Sequence, residues 1–477
     1  TAANGSGDGG NLTMQAGRSL LINANITTDN GNLILTANDT AGNGVVDAQR
    51  DSGAAVITLA SGTTVNTGTG SFTATISAGA DKTNDASGDI TLSSVTAGSL
   101  VATNSGPTSG SDILDNGVLT IAGTSSFTTS VSNAVITLDS ANVFTGAVTV
   151  NTTGSSGHAT VVDASGLNLG ASTVGGNLVA TATTGNISDS GNLAVTGAAT
   201  FITGASGSNI ILDASGNAFS NAVTLQADDG SEAFGNITFV DSGAVRLHSS
   251  AGANGDLYIN AATDAAVGGN LNVTATTGNI TQGRAVAVGG TSSFTTSASD
   301  ARVTLDSATN AFSGAVTLST AGSSAHADID GGTTALDIAA SSVGGNLYLR
   351  SGNNIIDSGT VTVGGNLLVT TDDNSGAINL GTLAVDGTVA LATNRSGNAT
   401  VVNDAGLQLA ASTVGGNLVA TAATGNMTDS GNLAITGTSS FTTSANNATI
   451  VLNNTNALTG AVTITTNDDS GTDADVT

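Results

Sequence analysis

The stretch VGGNLVATATTGNISDSGNLAVTG at residues 174–197 decides the fold, because it recurs as VGGNLVATAATGNMTDSGNLAITG at residues 414–437. Within it, apolar and polar residues alternate in short bursts, and each burst ends at Gly, Asn, Asp or Ser. Alternation with a period of two is typical of half-buried strands, and these four residue types form tight bends. The stretch therefore predicts short strands and turns in an all-β repeat protein.

The VGGNL motif marks a long repeat. Its copies begin at Val174, Val267, Val343, Val363 and Val414, and a weaker copy, VTAGSL, begins at Val95. The main spacings are 79, 93, 76 and 71 residues. A second motif, TSSFTTS, begins at residues 124, 291 and 438, and an AVT segment follows it each time. We therefore predict long repeats of about 70–93 residues over residues 95–477.

A shorter beat lies inside the long repeat. GNLTMQAG at Gly10 and GNLILTAN at Gly31 are 21 residues apart, and two VGGNL copies are 20 apart. This length suits a coil of two or three short strands joined by tight bends. We predict one continuous solenoid over residues 1–477, with irregular shorter-beat repeats at 1–94 and roughly 24 coils of about 20 residues each.

A string of β-sandwich domains is the alternative architecture. The variable spacing favours a solenoid, because one inserted coil adds about 20 residues and leaves the stack intact. A sandwich also needs a substantial aromatic core. The chain has only 10 Phe, 2 Tyr and no Trp.

The composition excludes several classes of protein. The 477 residues include 8 Lys+Arg and 35 Asp+Glu, which gives a net charge of −27 and excludes a nucleic-acid-binding surface. There is no Cys, so disulfides and thiolate metal sites are impossible. The hydrophobic fraction of 39% argues against disorder. No window approaches the ~18 apolar residues of a membrane span, so we expect no membrane insertion by this segment.

Recurring Asn and Asp residues are predicted to be structural turns. Each Asn follows Gly-Gly, and in stacked coils about 4.8 Å apart such amides can form a hydrogen-bonded ladder. Each Asp precedes Ser-Gly, where a carboxylate closes a turn by accepting nearby backbone N–H groups. The predicted turn residues are Asn177, Asn270, Asn346, Asn366, Asn417, Asp189, Asp357 and Asp429.

Calcium is the one candidate ion, because it takes hard oxygen ligands. The candidate ligands are Asp228, Asp229, Asp372, Asp373, Asp468 and Asp469. The sequence contains neither an EF-hand loop nor the repeat of calcium-binding β-rolls, so a solvated acidic surface is the alternative. Lys82 is the only lysine and the arginines are scattered, so we predict no catalytic or cofactor-binding residues and no enzyme.

The run GGNLTMQAGRSLLINANITTDNGNLILTAN at residues 9–38 and the VGGNL–DSG–TSSFTTS–AVT unit resemble the repeats of bacterial filamentous-haemagglutinin-like exoproteins. The resemblance implies a right-handed parallel β-helix and secretion to the cell surface or the extracellular space of a Gram-negative bacterium. It also implies cell adhesion, biofilm or extracellular filament building. The partners would be a host or bacterial surface ligand, or further copies in a fibre.

We therefore expect a structural rod or stalk segment of a secreted surface adhesin or fibre. The alternatives are a carbohydrate- or receptor-binding β-helix module with its ligand on one face, and tandem β-sandwich adhesin domains. Selective glycan binding would favour the module over the stalk.

Overall fold

The computed structural model describes residues 9–40, 46–227, 235–248, 256–259, 265–372, 375–467 and 476. These residues form short strands and a 3-10 helix, Asp47–Gln49. The predicted all-β parallel solenoid is confirmed, with about 18 turns at a spacing of about 23 residues. The coils are longer than the predicted 20 residues, so there are fewer than the predicted 24. Because the described strands of neighbouring coils pair in parallel, the fold is not a tandem β-sandwich.

The strands are short throughout. In the first part of the chain they are β1 Leu12–Gln15, β2 Leu20–Ile22, β3 Ile26–Thr27, β4 Leu33–Ala37, β5 Ala55–Leu59, β6 Thr64–Asn66, β7 Ser71–Ile76, β8 Ser87–Leu92, β9 Ser94–Ala97, β10 Ser99–Asn104, β11 Ile113–Asp115, β12 Leu119–Ile121, β13 Ser125–Ser132, β14 Ile136–Phe144, β15 Val148–Thr153, β16 Ala159–Asp163, β17 Leu167–Leu169, β18 Ser172–Val174, β19 Leu178–Ala182, β20 Ile187–Asp189, β21 Leu193–Val195, β22 Ala199–Thr203, β23 Ile210–Leu212, β24 Ala218–Phe219, β25 Val223–Gln226 and β26 Ile237–Asp241.

The remaining strands are of similar length. They are β27 Val245–His248, β28 Asp256–Ile259, β29 Ala265–Val267, β30 Leu271–Ala275, β31 Ile280–Gln282, β32 Val286–Val288, β33 Ser292–Ser299, β34 Val303–Leu305, β35 Ala311–Phe312, β36 Val316–Ala321, β37 Ala327–Asp330, β38 Leu336–Ile338, β39 Ser341–Val343, β40 Leu347–Ser351, β41 Ile355–Asp357, β42 Val361–Val363, β43 Leu367–Thr371, β44 Ile378–Val385, β45 Thr388–Thr393, β46 Ala399–Asn403, β47 Leu407–Leu409, β48 Ser412–Val414, β49 Leu418–Ala422, β50 Met427–Asp429, β51 Leu433–Ile435, β52 Ser439–Asn446, β53 Ile450–Val451, β54 Ala457–Leu458 and β55 Val462–Asn467.

The chain forms two compact units, residues 1–240 with 251–256, and residues 241–250 with 257–477. In the first unit, sheet 1 stacks β1, β4, β7, β10, β13 and β15, followed by the pairs β17/β18, β20/β21 and β23/β24. Sheet 2 stacks the pairs β2/β3, β5/β6, β8/β9 and β11/β12, followed by β14, β16, β19, β22 and β25. Most coils thus have one long strand in one sheet and a pair of short strands in the other.

The second unit is built in the same way. Its sheet 3 stacks β30, β33 and β36, then the pairs β38/β39 and β41/β42, then β44, β46, β49, β52 and β55. Its sheet 4 includes β31, β34, β37, β40, β43 and β45, followed by the pairs β47/β48, β50/β51 and β53/β54. A separate row holds β29, β32 and β35.

The interior is made of apolar columns that run from coil to coil. Many of the longer strands alternate buried and outward residues, as in β19 and β22. One column stacks Val161, Ala180 and Phe201, so small and large side chains alternate. The motif phenylalanines Phe127, Phe294 and Phe441 are 0% exposed. Stacked Val, Leu, Ile, Ala and Phe therefore supply the core of a chain with few aromatic residues.

The two sheets of each unit exchange roles along the chain, which we call a sheet exchange. In the first unit β14 pairs back with both β11 and β12 but forward with the single strand β16. In the same coil β15 pairs forward with both β17 and β18. The second unit repeats the exchange where β36 meets β38 and β39, and where β45 meets β47 and β48.

Serine side chains satisfy the backbone at each sheet exchange. Where one long strand faces two short ones, an N–H in the middle of the long strand faces the gap between them. Ser172 Oγ accepts the N–H of Val150 at 3.0 Å and donates to the Gly170 carbonyl at 2.8 Å. Ser341 and Ser412 make the same two bonds at the other two exchanges.

In the opposite sheet at a sheet exchange, the side chain of a buried Asp or Asn accepts the corresponding backbone N–H. Asp163 Oδ2 accepts the N–H of Phe144 at 3.0 Å, and Asn403 Oδ1 accepts that of Val385 at 2.8 Å. Because of the exchange, the VGGNL strands of the second unit lie in different sheets, with Leu271 and Leu418 in sheet 3 and Leu347 and Leu367 in sheet 4. The long repeat therefore contains a half-integral number of coils.

Candidate functional site

The Asn residues of the VGGNL motif link each coil to the next at a corner. Their side-chain oxygens accept a backbone N–H of the following coil at 2.8–2.9 Å, from Ala198, Thr291, Asn366, Thr388 and Thr438 for Asn177, Asn270, Asn346, Asn366 and Asn417 respectively. The ladder therefore runs from side chain to backbone rather than from amide to amide. A Cβ added at Gly197 would lie 2.5 Å from the Gly176 carbonyl carbon, so the coils pass too closely there for another residue.

Two histidines take the position of an Asn in this corner ladder. His158 Nδ1 accepts the N–H of Asn177, and His326 Nδ1 accepts that of Asn346, both at 2.8 Å. Asn398 occupies the matching position before the last VGGNL motif, and its Oδ1 accepts the N–H of Asn417 at 2.8 Å. The histidines thus act as hydrogen-bond acceptors between coils.

The Asp residues of the DSG motifs also bond between coils. Asp189 accepts the N–H of Asp213 at 2.9 Å and the side-chain amide of Asn217 at 2.6 Å. Asn217 is fully buried, and its own oxygen accepts the N–H of Leu193 at 2.8 Å. We call this three-part arrangement the Asp bracket, and it fixes two neighbouring coils to each other.

The Asp bracket recurs with small variations. Asp115 bonds Asn142, Asp429 bonds Asn456, and Gln282 replaces the Asp opposite Asn310. Asp357 instead accepts the N–H groups of Gly381 and Thr382. Most of these bonds span 24–28 residues, so the carboxylates act across coils as well as at their own turns.

The bracket carboxylates differ in protonation behaviour. Burial raises the pKa of Asp189 above its ordinary value, although hydrogen bonds from Asn217 and the backbone act in the opposite sense. Burial raises the pKa of Asp115 in the same way. At Asp429 burial also acts upward, but hydrogen bonds from Asn456 and Asn454 outweigh it, so the pKa is lowered.

The calcium candidates fall mostly outside the described residues, namely Asp228, Asp229, Asp373, Asp468 and Asp469. Asp372 is described and exposed, and its backbone N–H donates to the Ser351 carbonyl at 3.1 Å. Within the described ranges, no group of three or more His, Asp or Glu side chains is placed to hold a metal. Calcium binding stays a prediction. No helix of the described part is long and apolar enough to cross a membrane.

Four outward side chains in sheet 4 break the pattern of small polar and aliphatic residues. Asp328 and Asp330 lie on β37, opposite Tyr348 and Arg350 on β40. Arg350 Nη2 is 2.7 Å from Asp328 Oδ1, and Arg350 Nε is 3.7 Å from Asp330 Oδ2. The Tyr348 hydroxyl accepts the side-chain amide of Asn346 at 3.0 Å. We call these four residues the polar block.

The polar block is partly open to solvent. The side chains of Arg350 and Asp328 are 33% and 27% exposed, and that of Asp330 is 6% exposed. On the next strand, Leu368 lies opposite Tyr348 and is 36% exposed. The surface therefore joins an aromatic and aliphatic strip to an ion pair.

Burial raises the pKa of both acids in the polar block. At Asp328 the Arg350 guanidinium opposes that rise, and at Asp330 the N–H of Gly332 and the more distant Arg350 oppose it. Negative charge on Asp372 adds to the rise at Asp330. One guanidinium therefore does not fully compensate the two carboxylates.

The polar block stands out against an equivalent segment of the same chain. GSSGHATVVD at residues 154–163 aligns with GSSAHADIDG at residues 322–331, and VGGNLVAT aligns with VGGNLYLR. At the four outward positions the earlier segment has Thr160, Val162, Val179 and Thr181, paired in the same register. The alignment shows from sequence which residues differ between the two segments, and the strand register then shows that these residues face outward.

Parallel strands stacked coil on coil, held by corner Asn residues and Asp brackets, define a β-solenoid repeat protein. The chain belongs to the family described as repeats of unknown function (DUF5649), which matches residues 78–151, 156–226, 234–319, 324–392 and 396–465. No curated protein and no solved structure gives a significant match. The first family repeat begins at residue 78, ahead of residue 95, where the weak VTAGSL copy begins.

Proposed function

We propose that this chain is a structural stalk segment of a secreted bacterial surface adhesin or extracellular fibre of the filamentous-haemagglutinin-like kind. The observation that supports it is the coil-to-coil bonding, in which backbone ladders, corner Asn residues and Asp brackets repeat through both units. Each of these bonds joins one coil to the next. Such a chain gains length by adding repeats without a new core for each addition.

The outward positions agree with this role. Most long strands carry Thr, Ser, Val or Asn outward, and one ladder stacks Thr36, Thr75, Thr103 and Thr128. β-Branched side chains stabilise a pleated surface without creating a special site. The chain's net charge of −27 adds repulsion that opposes lateral aggregation through exposed sheets.

Antibodies raised against the purified chain test the proposal on intact cells that produce the parent protein. We expect labelling of the cell surface or of extracellular filaments, and reduced adhesion or biofilm when the antibody is present. Labelling that appears only after the cells are lysed would overturn the extracellular role. Surface labelling with unchanged adhesion and no filaments would overturn the adhesin or fibre role.

A further inference from the structure

The fourth family repeat differs from the second in its outward chemistry. Both repeats place a histidine in the corner ladder and stack the same kind of inward columns. In the fourth repeat, however, a tyrosine, an arginine and two aspartates replace the Thr and Val residues of the second. The two repeats share the same register, so the difference lies in the outward side chains.

The charges of the polar block favour a neutral ligand. Arg350 would repel a cation, and Asp328 together with Asp330 would repel an anion. The guanidinium has five N–H donors, and the carboxylates carry several acceptor lone pairs. A vicinal diol is donor and acceptor at once, so it can bond both members of an ion pair.

The neighbouring residues supply an apolar contact. Tyr348 lies on the outward side of β40, and Leu368 follows it on β43. An aromatic ring with a polar tip presents a rigid surface to the C–H face of a ring-shaped ligand. Tyr348 and Leu368 beside the ion pair therefore suit a ring-shaped ligand that has one apolar face and hydroxyl groups along its edge.

We infer that the polar block, Asp328, Asp330, Tyr348 and Arg350, together with Leu368, binds a neutral sugar residue of a glycan. The sugar ring lies on Tyr348 and Leu368, and its hydroxyls bond Arg350 and Asp328. Asp330 positions the guanidinium. This binding goes beyond the proposed structural role and gives the stalk the ligand-binding face of the alternative module. A purified chain would show it whether or not the parent protein builds a fibre.

The purified chain is tested on an array of neutral glucose, galactose and mannose oligosaccharides, with sialylated and sulfated glycans and a lysine-rich peptide included. We expect binding to at least one neutral oligosaccharide. Tyr348→Val, which installs the residue of the second repeat, should weaken it by about tenfold. Tyr348→Phe should retain most of the binding, because the ring is kept. Val179→Ala in the second repeat is the matched control and should change nothing.

Three results would overturn the inference. They are no binding to any neutral oligosaccharide, equal binding by the wild type and Tyr348→Val, and binding only to the charged glycans or the peptide. Denaturant midpoints of all variants are measured in parallel. Lost binding in a Tyr348→Val chain with an unchanged midpoint supports the site, whereas a loss that follows a lowered midpoint also counts against it.

Discussion

The second and fourth family repeats share one backbone plan and differ in what they present outward. Their corner histidines, His158 and His326, accept equivalent N–H groups at the same distance of 2.8 Å. Their inward columns are both apolar, although Ala180 in one corresponds to Leu349 in the other. The comparison separates residues that define the coil from residues that are free to vary.

The largest expected effect concerns the inward column of the fourth repeat. Leu349 is 0% exposed and stacks between Ile329 and Val369, so Leu349→Ala should leave a cavity and lower the free energy of unfolding by about 2–5 kcal/mol. Outward Leu368→Ala is the control and should cost well under half as much. Denaturant unfolding measures both, and equal losses would contradict the division into inward and outward positions.

The next effect concerns the Asp bracket of the second repeat. Asp189→Ala removes the acceptor of the buried Asn217 amide, which should cost about 1–3 kcal/mol. Asp189→Gln should recover part of the loss, since Gln282 bonds Asn310 in the third repeat. If Asp189→Ala unfolds at the wild-type denaturant concentration, the bracket does not hold the coils together.

A smaller effect is expected at the corner ladder. His158→Leu removes the acceptor for the Asn177 N–H, which water reaches in part, so we expect a loss of about 0.5–1.5 kcal/mol. His158→Asn should unfold like the wild type, because Asn398 fills the same position in the fifth repeat. A loss as large in His158→Asn as in His158→Leu would show that the ring, not the acceptor, is required.

The smallest effect concerns how the polar block makes stability depend on pH. Asp328 and Asp330 have raised pKa values in the folded chain, so the folded state binds their protons more tightly than the unfolded state. Their contribution to the free energy of unfolding therefore increases as the pH falls from the folded pKa toward the ordinary value of 3.8, and is constant below it. Asp429, with a lowered pKa, acts oppositely and loses stability below 3.8.

The double variant Asp328→Asn/Asp330→Asn isolates this contribution. Unfolding free energies measured from pH 7 to pH 3.5 should rise less steeply toward acid in the variant than in the wild type. Thr160→Ala in the second repeat has no titrating group and should leave the slope unchanged. Identical slopes for the wild type and the double variant would show that burial in the block does not affect proton binding.

The sequence predicts contacts between coils where the residues that make them belong to one short motif. The Gly-Gly-Asn corner can be recognised because Gly176, where the coils approach closely, and Asn177, whose side-chain oxygen accepts the N–H of Ala198, belong to one short motif. The sequence shows only the Asp of the Asp bracket, in its DSG motif. Asn217 lies 28 residues after Asp189, and no local pattern links the two residues. The sheet exchange cannot be predicted from sequence for a similar reason. Ser172 has no sequence feature that distinguishes it from other serines in strands, and its role depends on the N–H of Val150, 22 residues earlier in the chain.

The polar block shows a different limit. A single histidine or aspartate in a loop can be chosen as a candidate site residue from sequence. Tyr348 and Arg350 can be chosen only when it is known that they face outward and pair with β37. That knowledge requires the strand register, because a shift of the register by one residue moves every side chain of the strand to the opposite face of the sheet. Comparison of repeats supplies the register only after the fold is known.

The most direct test of the account exchanges the outward residues of the fourth repeat for those of the second. The variant carries Asp328→Thr, Asp330→Val, Tyr348→Val and Arg350→Thr, and its free energy of unfolding is compared with that of the wild type. We predict a difference within about 1 kcal/mol, because replacing a partly buried ion pair with packed neutral residues is close to neutral. A loss of more than about 3 kcal/mol, on the scale of breaking a buried pair, would contradict the claim that these residues serve binding rather than the fold.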